Sequence, residues 1–175
     1  GYPVTAIAKS AFFRESTIHS IIIPPTVTRI GNDAFYYCES LENVYISDLS
    51  AWCKIEFDGS RATPMCYASN LYLNGELLTD LTIPEDITQL IDYTFYGCES
   101  LSSIKIPYSV QTIESGVFWD CYALEELTIP SGVTTIAQNL VSQSGVKSLT
   151  IPKTVKSFGN YATYRCFELT DIYYE

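Results

Sequence analysis

The 175-residue chain contains one histidine, His19, and only ten lysine and arginine residues against twenty acids. A zinc site usually needs several histidine or cysteine ligands at close spacing, and no motif places a serine beside this histidine. The sequence also has no C-x-x-C, no G-x-S-x-G and no phosphate-binding glycine loop. A net charge of −10 disfavours nucleic acid and anionic membrane surfaces as partners. We therefore expect no catalytic residues, no metal, no cofactor and no nucleic-acid partner.

Long hydrophobic runs are also absent. No stretch approaches the ~18 uncharged apolar residues of a membrane span, and no basic start followed by an apolar run resembles a signal peptide. We expect no membrane insertion by this segment. The 47% hydrophobic content is enough for one continuous core, and a single domain is predicted for residues 1–175. Because the chain opens and closes within a repeat, we expect it to be a segment of a longer protein.

The sequence is instead dominated by an apolar-x-apolar-Pro signature that returns about every 23 residues. Its copies end at Pro24, Pro84, Pro107, Pro130 and Pro152, and degenerate copies end at Ser47 and Glu175. A fixed period of this length is typical of a solenoid, in which each coil buries its apolar face against the next coil. The repeat therefore predicts an elongated array of about seven coils.

Residue spacing within one coil predicts its local structure. Ile104 and Ile106 are two residues apart and share one face of a strand, whereas Phe95 and Cys98 are three apart and suit a helical or 3₁₀ turn. Proline cannot donate to a strand ladder, so Pro107 should end the strand. We predict an α/β solenoid with a parallel sheet of about seven short strands and short helical or 3₁₀ turns on the other side.

The period is broken once, between Ser47 and Pro84, by an insertion within residues 48–80. Asn74-Gly75 lies between apolar runs there, which is a strong hairpin signal because both residues tolerate positive φ. We expect a hairpin with this pair at its tip, standing off the solenoid. The coil from Ser131 to Pro152 is one residue short and has Leu140-Val141 where the other coils have their Phe and Cys.

Four of the six cysteines share one repeat position, and the other two, Cys53 and Cys66, lie outside it; the four in register are Cys38, Cys98, Cys121 and Cys166. A residue that recurs in register is most simply a small buried side chain, so these four are predicted to be free thiols. Cys53 and Cys66 form the only plausible disulfide, and the sequence leaves their state open.

The repeat x-A-F-x-x-C-x-x-L-x-x-I-x-I-P resembles the BspA-like leucine-rich repeats of bacterial surface and secreted proteins. It stands here as Ala34-Phe35-Tyr36-Tyr37-Cys38 and as Phe95-Tyr96-Gly97-Cys98, with Leu101, Ile104, Ile106 and Pro107 following. The resemblance covers nearly the whole chain. It implies a right-handed coil, an extracellular or cell-surface location, and a non-enzymatic role in adhesion or in binding host and matrix proteins. It carries no catalytic residues.

The predicted sheet exposes one residue per coil between its two core positions: Ile22, Tyr45, Thr82, Lys105, Thr128, Thr150 and Tyr173. We select Tyr45, Lys105, Thr128 and Tyr173 as candidate ligand-binding residues of this face. The alternative is that threonine and serine simply suit an exposed sheet. In the insertion, Trp52 and Tyr72 are further candidates, because functional residues concentrate on excursions from a scaffold. For Trp52, the alternative is a small core with Phe57 that holds the insertion down.

A second recurring column is aromatic and comprises Phe13, Tyr36, Tyr96, Trp119 and Tyr164. These rings suit either ligand binding or stacking between coils, and stacking is the favoured interpretation. Two functional hypotheses follow. The first is a non-enzymatic module that binds a protein or glycan ligand, such as a host matrix protein, through the sheet and the insertion. The second is a structural spacer that displays another domain and has no ligand of its own.

Overall fold

The computed structural model describes residues 2–175, which form sixteen short strands, one α-helix and one 3₁₀ helix. In chain order the strands are β1 Ala6–Ile7, β2 Ser20–Ile22, β3 Arg29–Ile30, β4 Asn43–Ile46, β5 Glu56–Phe57, β6 Asn70–Leu73, β7 Glu76–Leu77, β8 Asp80–Thr82, β9 Gln89–Leu90, β10 Ser103–Lys105, β11 Thr112–Ile113, β12 Glu126–Thr128, β13 Thr135–Ile136, β14 Ser148–Ile151, β15 Ser157–Phe158 and β16 Asp171–Tyr174. The helix α1 covers Leu49–Trp52, and the 3₁₀ helix covers Pro64–Cys66. None of the described helices is long and apolar enough to cross a membrane.

Eight of these strands follow one another along one face of the solenoid, which we call the front ladder. It comprises β2, β4, β6, β8, β10, β12, β14 and β16, and all its strand pairs are parallel and in register. In β8 the buried Leu81 lies between the exposed Asp80 and Thr82, as the period-two pattern predicted. The proline after a strand begins a tight turn; the N–H of Val110, for example, donates to Pro107 O at 3.1 Å. The predicted strand and proline positions are therefore confirmed.

The front ladder is interrupted twice. Among residues 2–175, hydrogen-bonded pairing joins β2 to β4 and β6, then β8 to β10, and then β12 to β14 and β16. The first break lies at β7, which pairs antiparallel with β6 and occupies the edge that β8 would otherwise use. The second lies between β10 and β12. The sheet is thus three parallel segments on one face.

Apart from β7, the remaining strands form a second set of parallel pairs along the side of the coils. These pairs are β1 with β3 and β5, β9 with β11, and β13 with β15. Each coil therefore has two short strands and a return segment, in the order that the sequence predicted. The buried apolar side chains of both strand sets form one cluster that extends from Ile23 to Ala162.

The α/β description was wrong for the regular coils, whose return segments are successive tight turns. The only helices in the described residues are α1 and Pro64–Cys66, both in the insertion. In each regular coil two residues four apart have positive φ, such as Tyr93 (62°) with Gly97 (72°). A left-handed residue interrupts the α-helical hydrogen-bond pattern. The alternate N–H groups instead donate to the next coil, as Phe95 N does to Val117 O at 3.1 Å. The molecule is a parallel-sheet β-solenoid with little helix.

The predicted hairpin is present, but it does not stand off the solenoid. Asn74 and Gly75 form its tip with φ of 53° and 87°, and Tyr72 pairs with Leu77 across it. Its first strand, β6, is itself part of the front ladder and pairs in parallel with β4. The expectation was wrong because the insertion supplies a complete extra front strand, whose backbone groups are satisfied by β4. The hairpin's second strand then returns the chain toward β8.

All six cysteines are free thiols, so Cys53 and Cys66 are not bridged. Burial raises the pKa of each of these two thiols to about 12. Three of the four in-register thiols donate a hydrogen bond to the preceding coil: Cys121 Sγ to Phe95 O at 3.2 Å, Cys38 Sγ to Phe12 O at 3.0 Å and Cys166 Sγ to Val141 O at 2.8 Å. Cysteine therefore recurs for a structural reason. Its side chain fills the same core position in each coil and can donate a hydrogen bond to the turn of the preceding coil.

The coil from Ser131 to Pro152 closes, with Val141 and not Leu140 at the position of the core phenylalanine. Phe118 N donates to Leu140 O at 3.0 Å, which sets Leu140 opposite Val117 and Val141 opposite Phe118. Ser144 consequently takes the position of the missing cysteine and lies 3.7 Å from Cys166 Sγ. Both Leu140 and Val141 are buried, so the core continues through this coil.

Candidate functional site

The outward face of the front ladder brings several of the predicted binding residues into two groups. Register pairing places Tyr45 beside Tyr72, and Thr128 beside Thr150. Tyr173 follows Thr150 in the same row, on β16. Because the side chains of a strand alternate between faces, every member of this row points away from the core. The tyrosines lie at the two ends of the row and smaller polar residues lie between them.

The first group is an apolar strip formed by Ile22, Tyr45, Tyr72 and Leu77, which we call the aromatic strip. The rings of Tyr45 and Tyr72 are stacked with centroids 4.8 Å apart and planes inclined by 22°. Ile22, on β2, is 75% exposed, and Leu77, directly opposite Tyr72, is 39% exposed. The strip is therefore a contiguous apolar surface across four neighbouring strands. Contiguous exposed apolar surfaces often mark the sites where a protein binds a partner.

Two asparagines lie in the row next to the aromatic strip. Asn70 Nδ2 donates to Asn43 Oδ1 at 3.2 Å, and these two residues directly face each other on β6 and β4. Further along the same row, Ser103 Oγ donates to Asp80 Oδ1 at 2.5 Å. This hydroxyl, followed by that of Thr79, lowers the pKa of Asp80, which therefore remains an anion on the front face.

The second group surrounds a groove of about 520 Å³ at the ends of the front strands, which we call the Lys105 groove. Lys105, Thr128 and Thr150 line it, together with Glu85, Tyr108 and Glu175. It lies at the second interruption of the ladder, where β10 and β12 are not paired. Within residues 2–175 Lys105 forms no ion pair, unlike Lys54 or Lys147. The groove thus offers an exposed ammonium group and two threonine hydroxyls to a ligand.

Tyr173 is 52% exposed and lies outside the walls of the Lys105 groove. It contributes to the same row through its pairing with Thr150 on the neighbouring strand. The structure therefore places Tyr173 at the far end of the front face from the aromatic strip, where its ring is accessible.

Trp52 is a core residue, so its assignment as a ligand-binding residue was wrong. Only 1% of it is exposed, and its indole Nε1 donates to Thr94 O at 2.9 Å. Its ring meets Phe57 edge-on with centroids 5.6 Å apart. Burying the largest apolar side chain of the insertion is more favourable than exposing it to solvent. The alternative interpretation, in which Trp52 forms a small core with Phe57, therefore describes its position.

The aromatic column on the turn side is used mainly for contacts between coils. Tyr96 meets Trp119 edge-on at 5.3 Å, and Phe13 approaches Tyr36 at 6.2 Å. Arg61 lies over the ring of Tyr36 at 4.3 Å, a cation–π contact from the insertion. Contact between coils, the favoured interpretation of this column, is therefore confirmed for these four rings.

Two surface residues of the front face were missed by the sequence reasoning. Leu77 joins the aromatic strip only because β7 folds back beside β6, and Tyr108 lines the Lys105 groove because it follows the proline turn. The apolar residue opposite Tyr72 across an Asn-Gly turn was the available signal for Leu77. In the described part of the chain, no three His, Cys, Asp or Glu side chains are grouped closely enough to hold a metal ion.

Known proteins with this arrangement were found by sequence profile and by structure. The profile described as BspA type Leucine rich repeat region matches six copies over residues 2–61 and 67–175. A leucine-rich repeat protein from Bacteroides ovatus is 23% identical with a TM-score of 0.59, covering 98% of this chain and 41% of that one. The pneumococcal vaccine antigen PcpA is 17% identical with a TM-score of 0.59, covering 97% of this chain and 53% of that one.

A leucine-rich repeat protein from Eubacterium ventriosum is 19% identical with a TM-score of 0.54, covering 90% of this chain and 49% of that one. The chain thus spans about half the length of these structures. No curated protein matches the sequence. At these identities the structures share the fold, and the profile covers almost every residue. The chain belongs to the BspA-type leucine-rich repeat family.

Proposed function

We propose that this chain is a non-enzymatic repeat module of a bacterial surface or secreted protein, and that it binds a protein ligand through the front face. The observation that carries the proposal is the aromatic strip, where stacked Tyr45 and Tyr72 lie between the exposed Ile22 and Leu77. Tyrosine supplies a large contact area with few rotatable bonds, and for this reason it is enriched among the residues that dominate binding energies.

The ring orientation favours a protein ligand over a glycan. Tyr45 and Tyr72 stack face to face, so each ring covers one face of the other. A sugar ring that stacks on an aromatic side chain needs an open ring face, whereas an apolar protein surface packs against ring edges and the flanking aliphatic groups. The neighbouring Asn43–Asn70 pair supplies polar groups at the rim of such a contact.

The Lys105 groove is proposed as a second contact for the same ligand. Its ammonium group is exposed and unpaired within the described residues, in a chain whose net charge is −10. A carboxylate or backbone carbonyl of the ligand would find Lys105, Thr128 and Thr150 as donors in one place. Tyr173, beyond this groove, would extend the contact along the row.

The family and its structural neighbours support a location on the bacterial surface. PcpA, which has the same fold, is a pneumococcal vaccine antigen, and the other two structures also come from bacteria. Because this chain spans about half of each of those proteins, the ligand and location of the whole protein are part of the proposal. A host matrix protein such as fibronectin, laminin or collagen is the ligand class that we test first.

The test measures saturable binding of bead-coupled protein to immobilised matrix proteins and to epithelial cells. We expect Tyr45→Ala/Tyr72→Ala to weaken binding at least about tenfold, since two hot-spot side chains are removed together. The matched control is Tyr161→Ala, an exposed tyrosine on the turn side, which should bind like the unmodified protein. Lys105→Ala should weaken binding further and reduce its dependence on salt.

Two results would contradict the proposal. Unchanged binding by the folded double variant would show that the front face is not the binding surface. Absence of saturable binding of the unmodified protein on every surface would favour the structural spacer, which has no ligand of its own. Far-UV circular dichroism of each variant separates a lost contact from a lost fold.

A further inference from the structure

A cleft on the flank of the solenoid arises from the coil that is one residue short. In the coil before it, Tyr122 and Ala123 separate the buried cysteine position from the buried leucine at 124. In the coil after it, Phe167 and Glu168 occupy the same two positions. Only Gly145 lies between Ser144 and Val146 in the short coil, so this coil has no side chain where its neighbours have aromatic rings.

The missing residue leaves an open space of about 310 Å³ with aromatic walls. Tyr122 and Phe167 line it on the sides of the two neighbouring coils, and they are 54% and 86% exposed. Gly145 lies between them, and a Cβ added there would lie 2.0 Å from Tyr122 O. The backbone of the short coil therefore closes the bottom of the cleft, and no substituted residue fits in place of Gly145 without a shift.

The spacing of the coils suits one flat ring between the two walls. Stacked rings of successive coils in this protein have centroids 4.8 Å apart for Tyr45–Tyr72 and 6.0 Å apart for Phe95–Phe118. Tyr122 and Phe167 are two coils apart, which corresponds to roughly 10 Å at ~4.8 Å per strand step. A single inserted ring would contact each wall at the spacing that the protein's own ring stacks have. The cleft is in effect an aromatic stack that lacks its middle ring.

The polar atoms beside the cleft are already hydrogen-bonded, which favours an apolar ring over a sugar. Gln143 Nε2 donates to Asp120 Oδ1 at 3.1 Å, and Gln143 Oε1 accepts from Arg165 Nη1 at 3.4 Å. Ser144 Oγ lies within hydrogen-bonding distance of Cys166 Sγ. The hydroxyls of a pyranose need several free partners, and these side chains have little capacity left for them.

The charges around the walls favour a basic ligand. The hydroxyl of Tyr122 donates to Asp120 at 3.1 Å, and Glu168 lines the cleft. Arg165, the cation that lines the cleft, is engaged by Gln143 and by the ring of Tyr164 at 5.3 Å. Lys147, which also acts on Glu168, is held in an ion pair with Glu125 at 2.7 Å. The chain as a whole carries a net charge of −10. Basic residues on either side of an inserted ring would therefore be attracted to this flank.

We propose that the cleft between Tyr122 and Phe167 binds one aromatic side chain presented by a basic segment of a protein partner. The site is separate from the front face, since none of its lining residues belongs to the front ladder. It therefore does not depend on the function proposed for that face.

The test is a titration of the ¹⁵N-labelled protein with the tripeptide acetyl-Lys-Trp-Lys-amide, followed by amide chemical shifts. We expect saturable shifts centred on Gln143, Ser144 and Gly145, with the amides of Tyr45 and Tyr72 unchanged. Acetyl-Lys-Ala-Lys-amide should produce no saturable shifts, and acetyl-Glu-Trp-Glu-amide should bind more weakly. Methyl glucoside serves as the glycan probe and should leave these amides unshifted.

A variant pair tests the walls directly. Phe167→Ala removes a side chain that is almost wholly exposed, so the fold should be retained, and it should weaken Lys-Trp-Lys binding about 3- to 10-fold. Tyr2→Ala removes another exposed ring, outside the cleft and outside the Lys105 groove, and should leave the affinity unchanged. The proposal is overturned if the tryptophan peptide gives no saturable shifts at these amides, if Phe167→Ala binds it equally well, or if the alanine peptide or methyl glucoside binds as tightly. Equal binding of the glutamate peptide would overturn the assignment of a basic partner.

Discussion

Replacing Trp52 by phenylalanine should weaken the junction between the insertion and the coil that follows it. In the regular coils the carbonyl preceding the core phenylalanine accepts a backbone N–H from the coil before; the pairs are Phe12 N with Ala34 O, Phe95 N with Val117 O and Phe118 N with Leu140 O. The insertion interrupts this series. The equivalent carbonyl of Thr94 accepts the indole N–H of Trp52 instead, at 2.9 Å.

The expected magnitude follows from burial. Trp52 is 1% exposed and Thr94 is fully buried, so the substitution leaves the Thr94 carbonyl without a donor and away from water. An orphaned buried acceptor costs about 1–3 kcal/mol. The smaller phenylalanine ring also leaves a space against Phe57, which adds to this cost. We expect Trp52→Phe to lower the free energy of unfolding by about 2–4 kcal/mol in total.

The chain provides a matched control in its other tryptophan. Trp119 Nε1 is buried and has no hydrogen-bond partner among the described residues. Trp119→Phe removes the same atoms but breaks no hydrogen bond, so it should cost no more than about 1 kcal/mol. Urea unfolding followed by far-UV circular dichroism measures both variants without relying on tryptophan fluorescence. Equal destabilisation by the two substitutions would refute the role assigned to the indole hydrogen bond.

The remaining predictions concern thiols and one glycine. All six thiols should react with Ellman's reagent in urea, whereas Cys53, which is 1% exposed, should react far more slowly in the native protein; rapid native labelling would contradict its burial. Because burial raises the pKa of Cys53 and Cys66 to about 12 from an ordinary value of 9.0, the unfolded state loses these protons first as pH rises. The stability that these two thiols contribute should therefore be constant below pH 9 and be lost between pH 9 and 12, and a Cys53→Ala/Cys66→Ala variant should show a shallower fall over that range in pH-dependent urea unfolding. Gly145→Ala should destabilise the chain by about 1–3 kcal/mol, because its Cβ would lie 2.0 Å from Tyr122 O. Gly75→Asn should cost less, at most about 1 kcal/mol in the same assay, because its side chain meets no atom and only the positive φ of 87° opposes it.

The helical turns expected from the sequence illustrate where local reasoning was insufficient. Phe95 and Cys98 are three residues apart, which fits a helical turn but fits two successive tight turns equally well. The choice between them depends on Tyr93 and Gly97, which both adopt positive φ. Glycine suits this conformation, but nothing in the sequence marks Tyr93 for it, because positive φ is rare for a bulky residue. Hydrogen bonds to the next coil stabilise these conformations, and those bonds exist only once the coils are stacked.

The candidate site was foreseen to the extent that it follows the repeat. Tyr45, Lys105, Thr128 and Tyr173 are on the outer face as predicted, because the residue between two core positions of a strand must point outward. Trp52 lies outside the repeat, so its environment could not be read from any periodic pattern. Its hydrogen-bond partner, Thr94, is 42 residues away along the chain.

The sequence by itself determined the solenoid, the position of every front strand except β6 and the repeat residues that face the core. This was possible because every regular coil contacts only its neighbours, so that one local pattern of apolar spacing specifies the packing of all of them. The tertiary structure alone decided that Asn70–Leu73 joins the front ladder beside β4 and that Tyr122 and Phe167 face a common cleft. A segment of alternating apolar and polar residues is equally compatible with a free hairpin and with a ladder strand. Which of the two forms depends on backbone pairing with residues that are distant in the sequence.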